Sequence, residues 1–201
     1  SIQTAVNSFD STAVVAGNSA SNNIGGFIYT SMNAFYQAAV TFTSQNFGAK
    51  CMKNCKKILI ACLIYVTLTG LLVGGVAVLF GHPLISLYAS GDEAIGYGIT
   101  RLTILALTYF LCGIGDVLVG GMRGLGYSVV PMVTSIVGVC GIRLLWIYTA
   151  FAANHTLPTL YVAYPLSWGI TAIVHVICYV WVYKKIARKI GNENEEVLIE
   201  A

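Results

Sequence analysis

The segment ILIACLIYVTLTGLLVGGVAVLF, residues Ile58–Phe80, contains no charged side chain and consists mainly of Leu, Ile, Val and Gly. A helix of about 20 apolar residues spans the hydrocarbon core of a bilayer, so this segment is long enough to cross a membrane. A second uncharged segment, Leu160–Tyr183, is also long enough, although it contains His175. Two such segments in one chain predict a polytopic α-helical membrane protein.

The composition of the whole chain agrees with this class. Of its 201 residues, 57% are hydrophobic and 9% are charged, whereas soluble domains carry roughly 25% charged residues. The formal net charge is only +3. We therefore expect membrane lipid around this protein and no nucleic-acid partner.

Charged residues, glycines and prolines divide the chain into a short first segment and five longer ones. The first, Ser1–Phe9, resembles the last turns of a helix whose start is missing, and Asp10 or Ser11 is placed to cap the next helix. The longer segments are expected at about 12–46, 54–80, 93–122, 128–152 and 159–189. The sequence thus predicts an all-α bundle of five full transmembrane helices plus the tail of a sixth.

Basic residues alternate between the expected loops. The loops at 47–57 and 123–128 and the end of the last helix carry Lys or Arg, whereas the intervening loops carry acidic residues or only His155. Because basic loops remain on the cytoplasmic side, this alternation predicts a cytoplasmic C-terminus. Residues 191–201, GNENEEVLIEA, are expected to form an acidic cytoplasmic tail.

The second segment carries an unusual number of amides and hydroxyls for a membrane helix. Spacings of three and four residues place one set of polar side chains on a single helical face: Asn22, Tyr29, Asn33, Gln37 and Thr41. Lipid cannot satisfy these groups, so the face must meet protein or water. One interpretation is hydrogen bonding between helices, worth about 0.6 kcal/mol for each bond. The other, which four helical turns of polar residues favour, is the wall of a water-filled cavity.

Asp116 is the most exceptional residue of the fourth segment, where it lies within CGIGDVLVGGMRGLG (Cys112–Gly126). A charge at the centre of a bilayer costs about 3 kcal/mol on insertion scales, so such an acid faces the bundle interior and often marks an ion or proton site. A structural alternative is a protonated Asp116 that bonds a backbone carbonyl or a neighbouring helix.

Two further polar residues lie inside the expected spans. Arg143 could extend toward the membrane surface, pair with a carboxylate, or hold its helix against a partner. His175 is more simply explained as a hydrogen-bonded side chain than as a ligand. The sequence contains no recognisable hydrolytic, redox or metal-ligand constellation, so we expect neither an enzyme nor a bound metal or cofactor.

Three motifs resemble the multidrug and toxic compound extrusion (MATE) transporters. The stretch VNSFDSTAVVAGNSASNNIGGFIYTSMNAFYQAAVTFTSQNFGAK (6–50) resembles the region of that family's seventh and eighth helices, and its end, FTSQNFGAK (42–50), resembles the family's QNxGA loop. GMRGLGYSVVP (121–131) is similar to the turn between the tenth and eleventh helices. Some members carry an acid about one turn before Asp116, near Cys112, so Asp116 is either a displaced equivalent or a subfamily feature.

This resemblance implies a fold of twelve helices in two lobes. It implies that residues 1–190 are the C-terminal lobe, truncated at its start, with the missing N-terminal lobe as its partner. Family members sit in the plasma membrane and export drug-like, often cationic, organic molecules in exchange for Na⁺ or H⁺ by alternating access. On this basis Asp116 and the polar residues of the second segment would bind the cation or substrate, with Arg143 as a possible charge partner of Asp116.

Two other functions are compatible with these residues. A lipid-linked oligosaccharide flippase of the same superfamily would carry several basic residues in its cavity, where the sequence offers only Arg143 and Arg101. A structural or assembly subunit that transports nothing is the second alternative.

Overall fold

The computed structural model of the chain describes residues 2–9 and 11–199, and within them the side chains of all residues except Gln3 and 191–199. The described part is helical throughout, with short turns between helices and no strand. The helices are α1 (Ile2–Asn7), α2 (Thr12–Gly48), α3 (Met52–Leu79), α4 (Gly81–Ser86), α5 (Asp92–Ala106), α6 (Tyr109–Gly124), α7 (Val129–Ser135), α8 (Ile142–Trp146) and α9 (Leu157–Ile199). Two π-helical segments, Ile136–Gly141 and Ile147–Phe151, continue α7 and α8 into one long span.

The helix boundaries follow the sequence expectation closely, with two differences. The segment expected at 93–122 is bent by 44° between α5 and α6, where Leu107 and Thr108 interrupt the helix. The backbone of α9 stays helical through Ile199, so much of the expected acidic tail continues this helix. Residues 200 and 201 of that tail lie outside the described residues. Ser11 caps α2, as expected, by accepting a hydrogen bond from the Val14 amide at 3.4 Å, whereas Asp10 lies outside the described residues.

Several of these helices are long and apolar enough to cross a membrane. By length and composition, the spans are Met52–Leu79, Val129–Phe151 and Leu157–Ile190, together with the bent pair α5–α6 as a fourth. Helix α2 has 37 residues, about 55 Å of helix, but its amides make it too polar to be identified by hydropathy. The all-α, multi-pass membrane fold expected from the sequence is confirmed.

Helix α2 lies at the centre of the bundle, where it packs against α3, α5 and α6. Its apolar face, including Ile24, Ile28 and Met32, is buried in the main core together with Val66 of α3 and Val117 of α6. Helix α9 packs against α6 and against the α7–α8 span. The α7–α8 span is otherwise open, and large apolar side chains cover its outer surface, as expected for a lipid-facing helix.

Two glycines of GxxxG pairs permit close helix contacts. A Cβ atom at Gly74 of α3 would lie 2.3 Å from the carbonyl oxygen of Ala106 in α5, and one at Gly124 of α6 would lie 2.6 Å from the Cβ of Thr43 in α2. Only glycine fits at such separations, and small residues in this spacing are typical of tightly packed membrane helices.

The substitution Gly74→Ala is expected to lower the stability of the protein. The added methyl group must displace the α5 backbone at Ala106, and overpacking of this kind costs about 1–3 kcal/mol. Gly75→Ala is the matched control, because a Cβ atom at Gly75 meets nothing within 4 Å. Thermal unfolding in detergent should give a lower Tm for Gly74→Ala than for Gly75→Ala, which gains the higher helix propensity of alanine without a clash, and equal Tm values would contradict this packing.

Candidate functional site

The three ionisable residues singled out within the spans line one cavity. Its volume is about 250 Å³, and it lies between α6, the α7–α8 span and α9. Asp116 comes from α6, Arg143 from α8 and His175 from α9. Three residues that lie up to 59 positions apart in the sequence therefore line one cavity.

Asp116 also contacts the polar face of α2. The Tyr29 side chain lies next to the Asp116 carboxylate. Tyr29 is 39% exposed and Asp116 is partly exposed, so the carboxylate is accessible. Asp116 thus connects the cavity with the polar face of α2.

The contact between Tyr29 and Asp116 is the middle one of three similar contacts along α2. Two helical turns before Tyr29, Asn22 Oδ1 accepts a hydrogen bond from Arg101 of α5 at 2.8 Å. The next position on the same face, Tyr36, accepts a hydrogen bond from Arg123 of α6 at 2.5 Å. Seven residues separate these α2 positions, so each step advances about 10 Å along the same side of the helix. The polar face thus supplies partners to three charged side chains.

The side chains of the polar face differ in their exposure to solvent and in their hydrogen bonding. Asn22, Tyr29, Gln37 and Thr41 are exposed, and Asn33 is partly exposed with a buried Oδ1 that has no hydrogen-bond partner. The apolar side chains of the opposite face are buried in the core, as the helical spacing predicts. The structure therefore shows a hydrogen bond between helices at Asn22 and leaves Gln37 and Thr41 exposed.

Arg101 is the most buried cation of the described chain, at 2% exposure. Besides Asn22, it donates to Ser21 Oγ at 3.1 Å, and its guanidinium lies 5.7 Å from the ring centre of Tyr164. These contacts hold α2, α5 and α9 together. A charge buried this deeply is costly unless its donors are bonded, so the polar atoms of Ser21 and Asn22 serve structure here.

Arg143 is held by aromatic and hydroxyl groups of α9. Its Nε donates to Ser167 Oγ at 3.0 Å, and its guanidinium lies 4.3 Å from the ring centre of Tyr164 and 5.7 Å from that of Trp168. Stacking of this kind retains a guanidinium in an apolar setting. Arg143 therefore shares the cavity with Asp116 while its described contacts are with α9.

His175 is 3% exposed and lies against two other elements. Its Nε2 is 3.3 Å from Ser135 Oγ, in accord with the expected hydrogen-bonded histidine. Its Nδ1 is buried next to the Gly115 backbone without a well-formed hydrogen bond. Thr171, on the same wall, also has a buried hydroxyl with no partner, so this cavity contains unsatisfied polar atoms.

Sequence reasoning missed three residues of this cavity: Ser135, Trp168 and Thr171. In the sequence, Ser135 and Thr171 stand out only as hydroxyl residues in otherwise apolar spans. Many hydroxyl residues in such spans merely hydrogen-bond the backbone of their own helix, so this feature does not identify a site. The π-helical segment Ile136–Gly141 follows Ser135 directly, and such bulges often accompany functional sites. In the described part of the chain, no group of three or more His, Cys, Asp or Glu side chains is arranged to hold a metal ion.

Comparison with known proteins finds a matching family model and matching solved structures. The model of the MatE family matches residues 2–149. The structure of the Vibrio cholerae MATE transporter VcmN in its bent form superposes with a TM-score of 0.82 at 20% sequence identity, covering 91% of this chain and 41% of that transporter. This chain therefore spans about two fifths of the length of the solved transporter. A search of curated proteins found no match.

The substitution Asn22→Ala is expected to destabilise the protein by about 1–3 kcal/mol, because it leaves a buried Arg101 donor without its acceptor. Asn23→Ala is the matched control, since Asn23 is an exposed neighbour on the same helix. Thermal unfolding in detergent measures the difference. If both variants unfold at the same temperature, the contact between Arg101 and Asn22 does not stabilise the bundle.

Proposed function

This chain belongs to the MATE family of membrane transporters, and from this premise we propose that residues 1–190 form the C-terminal lobe of a cation-coupled antiporter. The transporter exports drug-like, often cationic, organic molecules by alternating access, together with an N-terminal lobe of the same protein. Its place is the plasma membrane, with the basic loops and the C-terminus in the cytoplasm. Membership of a transporter family accounts for this protein without an enzymatic activity.

The observation that carries this proposal is the position of Asp116. Its side chain is partly exposed, lies next to Tyr29 on the polar face of α2, and lines the cavity that Arg143 and His175 also line. An intramembrane acid in such a place is suited to bind a cation. The open polar side chains Gln37 and Thr41 extend the same surface, and Asn33 lies between them and Tyr29.

Exchange follows from competition for one carboxylate. When Asp116 holds the coupling cation, it cannot also neutralise a cationic substrate, so loading of the cation releases the substrate. Coupling of this kind requires that each ligand favours a different state of the protein, and the two effects are reciprocal. Tyr29 orients the carboxylate in this scheme, and Arg143 keeps the local charge balanced when Asp116 is ionised.

The coupling ion is Na⁺ or H⁺, and the cavity lining favours H⁺. A hard metal cation requires several oxygen ligands, whereas the side-chain oxygen atoms of the residues lining this cavity belong to one carboxylate, Asp116, and to the hydroxyls of Ser135 and Thr171. A proton requires only the carboxylate.

Flippase activity on a lipid-linked oligosaccharide is less well supported. A pyrophosphate group calls for several basic side chains in the cavity, and Arg101 is buried against Ser21 and Asn22. Arg143 is then the one Arg or Lys on the described wall of the cavity. Transport of a fluorescent cationic dye by the purified protein would separate an antiporter from a flippase and from a subunit that transports nothing.

The substitution Asp116→Asn in the full-length transporter is expected to abolish efflux of a cationic dye while expression stays normal. The amide keeps the shape of the side chain but carries no charge and takes up no proton. Asp92→Asn, at the start of α5, removes an equal charge outside the cavity and should leave efflux unchanged. Wild-type efflux from Asp116→Asn would refute the role of Asp116.

Proteoliposomes distinguish the two coupling ions. With Asp116 and Arg143 intact, an imposed pH gradient in sodium-free buffer should drive dye transport, and a sodium gradient at equal pH on both sides should not. The opposite pattern would assign Na⁺ as the coupling ion and contradict the interpretation of the cavity lining.

A further inference from the structure

Two adjoining clefts open at the end of the bundle where α2 passes into α3. The first has a volume of about 350 Å³ and lies between the end of α2, Tyr127 and α9. The second, of about 510 Å³, lies between the start of α3 and α9. Lys50 and Ile190 line both clefts, so the two form one continuous depression, which we call the basic cleft.

Among the side chains that the structure describes, the charged groups lining the basic cleft are lysines. Lys50 lies in the turn before α3, Lys53 lies in the first turn of α3, and Lys189 lies near the far end of the chain in α9. All three are exposed, and no Asp or Glu is among the described residues of the lining. Converging lysines attract an anionic ligand, and they bind phosphate as compact point charges.

Apart from Asn54, the remaining walls of the basic cleft are mainly apolar. Phe47, Leu125 and Ile186 line the first part, and Met52 and Ile190 line the second. A small hydrated anion gains nothing from such walls, whereas a ligand with a charged head and a hydrocarbon body uses both surfaces. The lining therefore matches an anionic amphiphile.

An aromatic pair places the basic cleft at the level of lipid headgroups. Trp181 of α9 packs edge-on against Tyr127 at 6.3 Å between ring centres, and the Lys185 ammonium lies 4.9 Å from the Trp181 ring centre. Trp and Tyr collect at the boundary between membrane and water, and Tyr127 itself lines the cleft. The cleft is thus within reach of lipids in the adjoining leaflet.

We propose that the basic cleft binds an acidic phospholipid. Lys50 and Lys53 contact the phosphate, and one acyl chain lies along Ile186 and Ile190 of α9. A bound lipid of this kind would bridge the turn between α2 and α3 to the last helix, which are otherwise joined here by the hydrogen bond from the Tyr183 hydroxyl to the Met52 carbonyl at 3.2 Å. The proposal depends on the membrane location of the chain and not on the direction or substrate of transport.

Native mass spectrometry of the full-length protein, released from nanodiscs of phosphatidylcholine with added phosphatidylglycerol, tests this site. The wild-type protein should retain phosphatidylglycerol in preference to phosphatidylcholine. The double variant Lys50→Gln/Lys53→Gln should bind phosphatidylglycerol about 25-fold more weakly, because each basic residue near a membrane surface contributes about fivefold. The control Lys56→Gln/Lys57→Gln removes two lysines from the same basic segment that do not line the cleft, and it should retain most of the binding.

Three results would overturn the proposal. An equal loss in both double variants would show that the basic segment acts through diffuse charge and that the cleft binds nothing itself. Retention of phosphatidylcholine and phosphatidylglycerol in equal amounts would remove the selectivity. Complete displacement of phosphatidylglycerol by millimolar inorganic phosphate would show that the site recognises a free anion and not a lipid. Size-exclusion profiles that match the wild type would confirm that each variant is folded.

Discussion

The structure depends on a single requirement: each charged side chain that enters the apolar bundle must find a polar partner there. In water, solvent molecules provide such partners, but in lipid an unpaired charge costs several kcal/mol. Helix α2 supplies these partners at seven-residue intervals through Asn22, Tyr29 and Tyr36. Its central position in the bundle follows, because a helix with this polar face is stable only where other helices, or water, meet it.

The same requirement explains how α5 and α6 are used. The 44° bend at Leu107–Thr108 separates a helix that carries Arg101 from one that carries Asp116 and Arg123, and both pack along α2. Arg101 is almost fully buried, and its two terminal nitrogens donate to Ser21 and Asn22, while its buried Nε has no partner, so Arg101 serves to hold α5 against α2. Asp116 is left accessible beside a cavity with unsatisfied polar atoms, which suits a group that exchanges ligands. Arg101 and Asp116 are both charged residues within apolar segments, and their different burial distinguishes the structural role of Arg101 from the proposed ligand-binding role of Asp116.

Helix α9 gives the bundle two further properties. Toward its middle, Tyr164, Ser167 and Trp168 hold Arg143 beside the cavity, and His175 closes the wall against Ser135. Toward its basic end, Ile186, Lys189 and Ile190 form one side of the basic cleft. One long helix therefore lines both the proposed transport site and the proposed lipid site.

The membrane class, the approximate span boundaries and the two faces of α2 follow from the amino-acid sequence, because uncharged length and a period of 3.6 residues are local properties of the chain. Asp116 and Arg143 are also recognisable from the sequence, since a charge in an apolar span is visible without any structure. The fold was needed to show that Asp116 lies next to Tyr29, that Arg143 is held by α9, and that His175, Ser135 and Thr171 line the same cavity. It also shows that Asn22 is engaged by Arg101 and that Lys50 and Lys189 meet at one cleft. The physical reason is that these contacts join residues far apart in sequence, and they depend on how each helix is rotated, bent and tilted against its neighbours, which no local pattern records.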